Sequence, residues 1–417
     1  MKPQALLEAV VAIWADNVRQ ERFNGVRLEQ LRLSIPDHEI RELIFVLIGA
    51  RKLDCLAPPI LNPHIKRFPA PDVETQLGYL DVAEKYHTVL YPTREVIEKF
   101  VDLTFLNSKP FSRRLAEAAP QLEPLFFEVA VLDRYRLDPR YSFHFNGYTG
   151  HMSARDSECD QMAERDRVFV ESFGLGLDGQ RHPVVAVFLR YLAYLNAGHQ
   201  QYWNSYLVNR RAAIHPNYYK PSILGEFWTN NGALAALALE IRKLNELTKA
   251  IWGRPLFRLD VPGEPHYALT PFMKPTRAEL LTFAHELDKL ISENLDKGAI
   301  TQMLADAGVT LDEKAGNAGT LKLLETFLFS GLIKWEDELD ACAEIMGPLR
   351  RLRKLRQEPA HSVVTNKYDP EVYDQRRRLL GDVVFALGSV LMVLKKHPKA
   401  PKIDLPDWFT DAKIEFL

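Results

Sequence analysis

The sequence has only three cysteines in 417 residues: Cys55, Cys159 and Cys342. They stand too far apart for a paired zinc motif and leave one thiol over. That excludes a disulfide scaffold or a cysteine-rich metal site and fits a reducing compartment. Charge of one sign is missing too, since 53 Lys and Arg face 55 Asp and Glu, for a net charge of −2. A wholly basic nucleic-acid coat and an acidic disordered tail are excluded, and any nucleic-acid face must be local. No uninterrupted apolar run approaches the ~18–20 residues of a bilayer-spanning helix. The opening MKPQALLEAVVAIWADNVRQ carries Glu8 and Asp16 in its apolar stretch and no small-residue cleavage site. The expectation is a cytoplasmic protein with no membrane partner. What the chain does have is 47% hydrophobic residues, 10% of the chain being aromatic, enough for two or three buried cores.

Hydrophobic periodicity predicts a mainly α, multidomain protein. Leu6, Leu7, Val10, Val11, Ile13 and Trp14 mark one helix face, residues 26–33 a second helix and 39–50 a third, with Ser34 and Pro36 suited to its start. A short strand at 52–56 leads into a proline-rich piece, 57–72, which can be neither a central strand nor a helix interior. Residues 1–72 therefore read as a winged-helix-like module. Through Arg67 it has ten basic residues against eight acidic ones. That is a faint footprint for a DNA reader, so DNA and a regulatory protein both stand as partners. Residues 73–260 read as a mostly helical middle segment, with a helix starting at Pro92. Within it, 140–152 (RYSFHFNGYTGHM) alternates aromatic and polar residues around Asn146-Gly147, a β-hairpin signal. Residues 167–173 extend that small sheet, and 184–195 read as a helix. Beyond a proline- and glycine-rich break, residues 276–417 read as a helical bundle with an extended tail. Its helices are 276–295, 321–332, 335–345, a kink or restart at Gly347-Pro348, and a long last one at 370–396.

The most suggestive string is Arg356-Gln-Glu-Pro-Ala-His361. Arginine offers a permanent forked cation that matches phosphate oxygens, and histidine can hold or give a proton near neutral pH. Together they suit cleavage of RNA, whose 2′-OH is an internal nucleophile, with no metal or other cofactor. On an ideal helix five steps of about 100° put the two residues about 140° apart. Pro359 must bend the ladder, or the groups act across a groove. The bare spacing recurs at Arg210 and His215, so context decides. Ahead of Arg356, five of the seven residues 350–356 are basic, and Arg350, Arg353 and Arg356 form one stripe backed by Leu349, Leu352 and Leu355. Read functionally this is a phosphate-facing ridge in which Arg350, Arg353 and Lys354 hold the RNA backbone. Read blandly it is a solvated charged face, and His361 caps a helix end.

The string RKLRQEPAH, lying between one bundle helix and a long final one, resembles the signature of the HEPN superfamily of ribonucleases and toxins. That signature is R-x4-H with a polar residue after the Arg and a small one before the His; Arg356, Gln357, Ala360 and His361 match in those places. The likeness covers residues 276–397. It implies a HEPN-like bundle that forms a homodimer with both motifs lining one cleft, and a metal-independent endoribonuclease leaving 2′,3′-cyclic phosphate ends. It implies that Arg356 polarises the scissile phosphate, that His361 acts in proton transfer or charge stabilisation, and that Gln357 and Glu358 are supporting polar groups. Gln357 departs from the family's commoner Asn, Asp or His and cannot replace an ionisable group. A toxin or anti-phage effector is the implied role. The alternative is a non-catalytic regulator whose first module binds nucleic acid or protein and whose bundle only dimerises.

Other strings carry weaker signals. Gly174 to Gly179 fits G-x-G-x-x-G, but no acid between Gln180 and Gly225 is there to hold a ribose, which favours a turn over a nucleotide loop. His199, Trp203, His215 and Trp228 make a polar-aromatic region suited to sensing a ligand, to base stacking or to interior packing. His151, Asp156, Cys159 and Asp160 lie close in sequence without a tetrahedral metal spacing. Asp337, Glu338 and Asp340 precede the basic stripe and could pair with it.

Overall fold

A computed structural model describes residues 2–31, 36–56, 65–66, 68–82, 88–227, 231–261, 267–311, 318–332, 338–358 and 366–417. Among the described residues the chain is mainly helical with two sheets, as the mainly α expectation requires. Contacts gather it into two units: residues 1–144, 149–179 and 184–218, and residues 145–148, 180–183 and 219–417. The middle segment read from the sequence, 73–260, is shared between them.

In the first unit, α1 (Pro3–Arg19) buries Leu6, Leu7, Val10, Val11, Trp14 and Val18, the face its periodicity predicts. The helix expected at 26–33 is instead a two-residue strand, β1 (Val26–Arg27), and a 3-10 turn, Leu28–Leu31. Strand pairing decides this, because Val26 and Arg27 pair with Leu90 and Val89, and tertiary contacts override the weak preference of so short a run. Helix α2 (Asp37–Gly49) and strand β2 (Leu53–Leu56) come next, as read from the sequence, then α3 (Val73–Val82) and β3 (Val89–Pro92). Strand β3 lies between β1 and β2, so residues beyond 72 complete the sheet of the N-terminal module. Residues 57–64 and Arg67, most of the proline-rich piece, lie outside the described residues. The module is tied to later segments of the same unit: Trp14 Nε1 donates to Ala116 O at 3.1 Å, and Gln121 Nε2 to Phe23 O at 2.8 Å.

Further along, α4 (Arg94–Phe100) and α5 (Pro110–Ala116) precede a six-stranded sheet. Its strands are β4 (Pro124–Phe127), β5 (Tyr141–Phe145), β6 (Thr149–Ala154), β7 (Phe169–Asp178), β8 (Pro183–Phe188) and β9 (Ala212–Ile214), in the order β4-β8-β7-β6-β5 with β9 beside β7. Strands β5 and β6 are the predicted hairpin. The helix expected at 184–195 is corrected to a strand, β8, followed by a short helix, α6 (Leu189–Ala193). Every residue of β8 is buried, so both of its faces are apolar and the run carries no period to separate strand from helix. The β-branched Val184, Val185 and Val187 favour the strand. Helix α7 (Ala197–Ser205) starts at Asn196, whose side chain accepts a hydrogen bond from His199 N.

The second unit is a bundle around one apolar core, built from α8 (Ala233–Trp252), α9 (Arg277–Leu290), α10 (Lys297–Asp306), α11 (Thr320–Thr326), α12 (Glu338–Gln357) and α13 (Glu371–Lys395). Thr276 caps α9 by accepting from Glu279 N, half of a Thr-x-x-Glu capping box. The chain does not restart at Gly347-Pro348; α12 runs through it with Pro348 inside. An interior proline costs about 3 kcal/mol. Burial of Ile345, Met346, Leu349 and Leu352 on either side of it offsets that cost. The tail is not wholly extended, because Asp407–Thr410 makes a helical turn that buries Phe409. Among the described residues no helix is long and apolar enough to cross a membrane.

Candidate functional site

Helix α12 packs against α9 and α13 through Leu349 and Leu352, both fully buried. This seats its arginines against acidic groups of neighbouring elements. Arg356 Nη1 lies 2.9 Å from Asp288 Oδ2, and Arg356 Nη2 pairs with Glu293. Arg353 Nε lies 3.5 Å from Asp288 Oδ1. Asp288 is wholly buried, whereas the side chains of Arg356 and Glu293 keep 24% and 38% of their surface. Arg350 pairs with Glu325, Arg351 with Asp382 at 2.8 Å, and Arg277 with Glu358. Lys354 and Gln357 are exposed. The basic run is thus a set of ion pairs bracing the bundle as well as a charged face.

The electrostatics at Arg356 favour its cation. Partial burial acts to lower its pKa, but the Asp288 hydrogen bond and the Glu293 charge outweigh that and raise it. The helix closes at Gln357, with Glu358 in a 3-10 turn. His361 lies outside the described residues, as do Pro359 and Ala360. Asp337 and the side chains of Glu338 and Asp340 lie outside them too. Chemically, one edge of the Arg356 guanidinium is fixed by a buried carboxylate and the other rests on a half-exposed one. Such a cation is already oriented, and the more solvated partner, Glu293, is the one a phosphate would displace.

Sequence reasoning missed Asp288 and Glu293. Asp288 stands four residues after Ala284 on the apolar face of α9, and an acid in that register is the signal that could have revealed it. Comparison with protein-family models, with curated proteins and with solved structures finds no match for this chain. The site stands on its own geometry.

The competing strings have structural uses. Arg210 is held by Glu128 and by Asp178 at 2.9 Å, while His215 is buried and its Nδ1 accepts from Asn217 N at 3.1 Å. Gly174 and Gly176 sit within β7 rather than in a phosphate loop, and only Gly179 falls in the turn after it. His151 stacks on His144 at 4.7 Å, Asp156 and Asp160 are exposed, and the side chain of Cys159 lies outside the described residues. Among the described residues no group of three or more His, Cys, Asp or Glu could hold a metal. Trp228 lies outside them.

The polar-aromatic region is interior. His199, Gln200 and Trp203 are fully buried; Tyr135 Oη lies 2.9 Å from His199 Nδ1 and accepts from Trp203 Nε1 at 3.0 Å. Burial, helped by the Arg134 charge, lowers the His199 pKa to about 4. From the ordinary 6.5 down to that value the unfolded chain binds a proton that the folded chain does not. His199 therefore costs stability as pH falls through this window and costs nothing above it. His199→Gln should accordingly shrink the drop in melting temperature between about pH 7 and about pH 5. An unchanged drop by calorimetry would refute the assignment.

Proposed function

We propose that the second unit is a metal-independent endoribonuclease of the HEPN type, acting on RNA as a homodimer in a toxin or anti-phage role. The observation that supports this reading best is the state of Arg356: a permanent cation, oriented by buried Asp288, five residues before His361 and at the end of a basic helix. In the proposed reaction the RNA 2′-oxygen attacks the adjacent phosphorus and the 5′-oxygen leaves, closing a 2′,3′-cyclic phosphate. His361 moves a proton in that exchange, and Arg356 neutralises charge gathering on the non-bridging oxygens once phosphate has replaced Glu293. Arg350, Arg353 and Lys354 lie along the same helix end and would track the backbone, with Gln357 and Glu358 as supporting polar groups.

A second reading, a non-catalytic regulator, draws support from the ion pairs themselves, since Arg350, Arg351, Arg353 and Arg356 all have structural partners. Its binding part would be the winged-helix-like N-terminal module. There the outer face of α2 shows Phe45 and Val46 beside Arg41 and Glu42, an apolar pair that suits a protein partner. The two readings part on one experiment. Incubated with excess EDTA, the nuclease cuts RNA and leaves DNA of the same sequence intact, because DNA lacks the nucleophile; a regulator cuts neither.

A further inference from the structure

Glu240 lies in α8 and is 1% exposed, although its Oε2 has no hydrogen-bond partner among the described residues. Cores avoid an unpaired buried carboxyl, and one that persists calls for an explanation. Burial lifts its pKa well above the carboxylate range. The group is reached past α13 at Gly388, where an added Cβ would stand 3.0 Å from Glu240 Oε1. Glu240 and Gly388 both line a groove of about 510 Å³. Ile345, Val384, Phe385, Met392 and Phe416 form apolar walls, and Phe385 and Met392 are 61% and 41% exposed. Glu344 and Lys396, of opposite charge, also line the groove. The volume lies within the roughly 300–1,000 Å³ of small-molecule sites, and an apolar cleft with one polar group is their usual composition.

We propose that this groove binds a small amphipathic amine, its nitrogen hydrogen-bonded to Glu240 and its alkyl or aryl body against Phe385, Met392 and Ile345. An amine answers both features of the site. An ammonium supplies donors to the unpartnered oxygen, and its charge favours the ionised carboxylate that burial alone disfavours, while a single charge leaves the rest of the ligand apolar enough for the walls. A carboxylate of the same length would bring a second acceptor to the same floor. The proposal is independent of the nuclease reading.

Calorimetric titration of the full chain with octylamine and with octanoate tests it. Octylamine should bind saturably, and octanoate about ten-fold more weakly or less. Glu240→Leu, which removes the acceptor and keeps the bulk, should abolish that preference while melting no lower than the native chain. Phe385→Ser alters only an exposed rim residue, so the fold is kept, and octylamine should bind about five-fold more weakly. Equal binding of the two ligands, binding of neither, a preference that survives Glu240→Leu, or undiminished binding to Phe385→Ser would overturn the proposal.

Discussion

Asp288→Ala should lower the unfolding free energy of the second unit by about 2–4 kcal/mol, measured by urea unfolding and far-ultraviolet circular dichroism. Asp288 is wholly buried and faces two cations, Arg356 at 2.9 Å and Arg353 at 3.5 Å. Removing one partner of a buried pair leaves charge that the bundle cannot solvate, which costs more than the pair itself contributes. The arginines keep 24% and 30% of their side-chain surface and recover some hydration, so the loss stays below that of a fully enclosed pair. Glu293→Ala is the matched comparison. Its side chain is 38% exposed, and exposed pairs contribute about 0–1 kcal/mol. Equal losses in the two variants would mean that burial of Asp288 is not what anchors the end of α12.

In the first unit, Gly174→Ala should cost about 3 kcal/mol or more, while Gly179→Ala should stay within about 0.5 kcal/mol of native. A Cβ at Gly174 would stand 2.1 Å from Cγ of Tyr218, a fully buried ring that tilts against Phe188 with centroids 5.5 Å apart. No rotamer of alanine relieves that contact, so the ring or the strand must move. At Gly179 an added Cβ meets nothing within 4 Å. The pair also separates two meanings of the glycine string. In a phosphate loop both glycines would serve a ligand; in a strand only the one beneath Tyr218 is needed. A mild Gly174→Ala, measured by the same urea unfolding, would refute the packing explanation.

Legibility in the sequence tracked the strength of local signals. Helices α1, α9 and α13 alternate apolar and polar faces over three turns or more, and the sequence located them within a few residues. Asn146-Gly147 marked the β5–β6 hairpin for the same reason, a turn chemistry that needs no tertiary context. Strand β8 was misread because a run buried on every side has no period, and β1 because two residues become a strand only when β3 arrives from about sixty residues away. The site divides likewise. The arginine stripe could be read from three-residue spacing; of its carboxylates, Asp288 is marked only by its register on the apolar face of α9 and Glu293 by nothing, since a charge run does not say which of its members are solvated. Glu240 was invisible as a buried group. It stands in a sequence, Leu-Glu-Ile-Arg, that looks like a helix surface, and its burial comes from packing against α13 at Gly388.

The central claim concerns Arg356 and His361, and single-turnover cleavage of RNA in excess EDTA tests it most directly. Native protein, Arg356→Ala and His361→Ala should be compared after circular dichroism has shown all three folded. The account predicts cyclic-phosphate ends from the native chain and a rate lower by about 10²–10³ in either variant. RNA left intact by the native chain, or cut as fast by the variants, would contradict it.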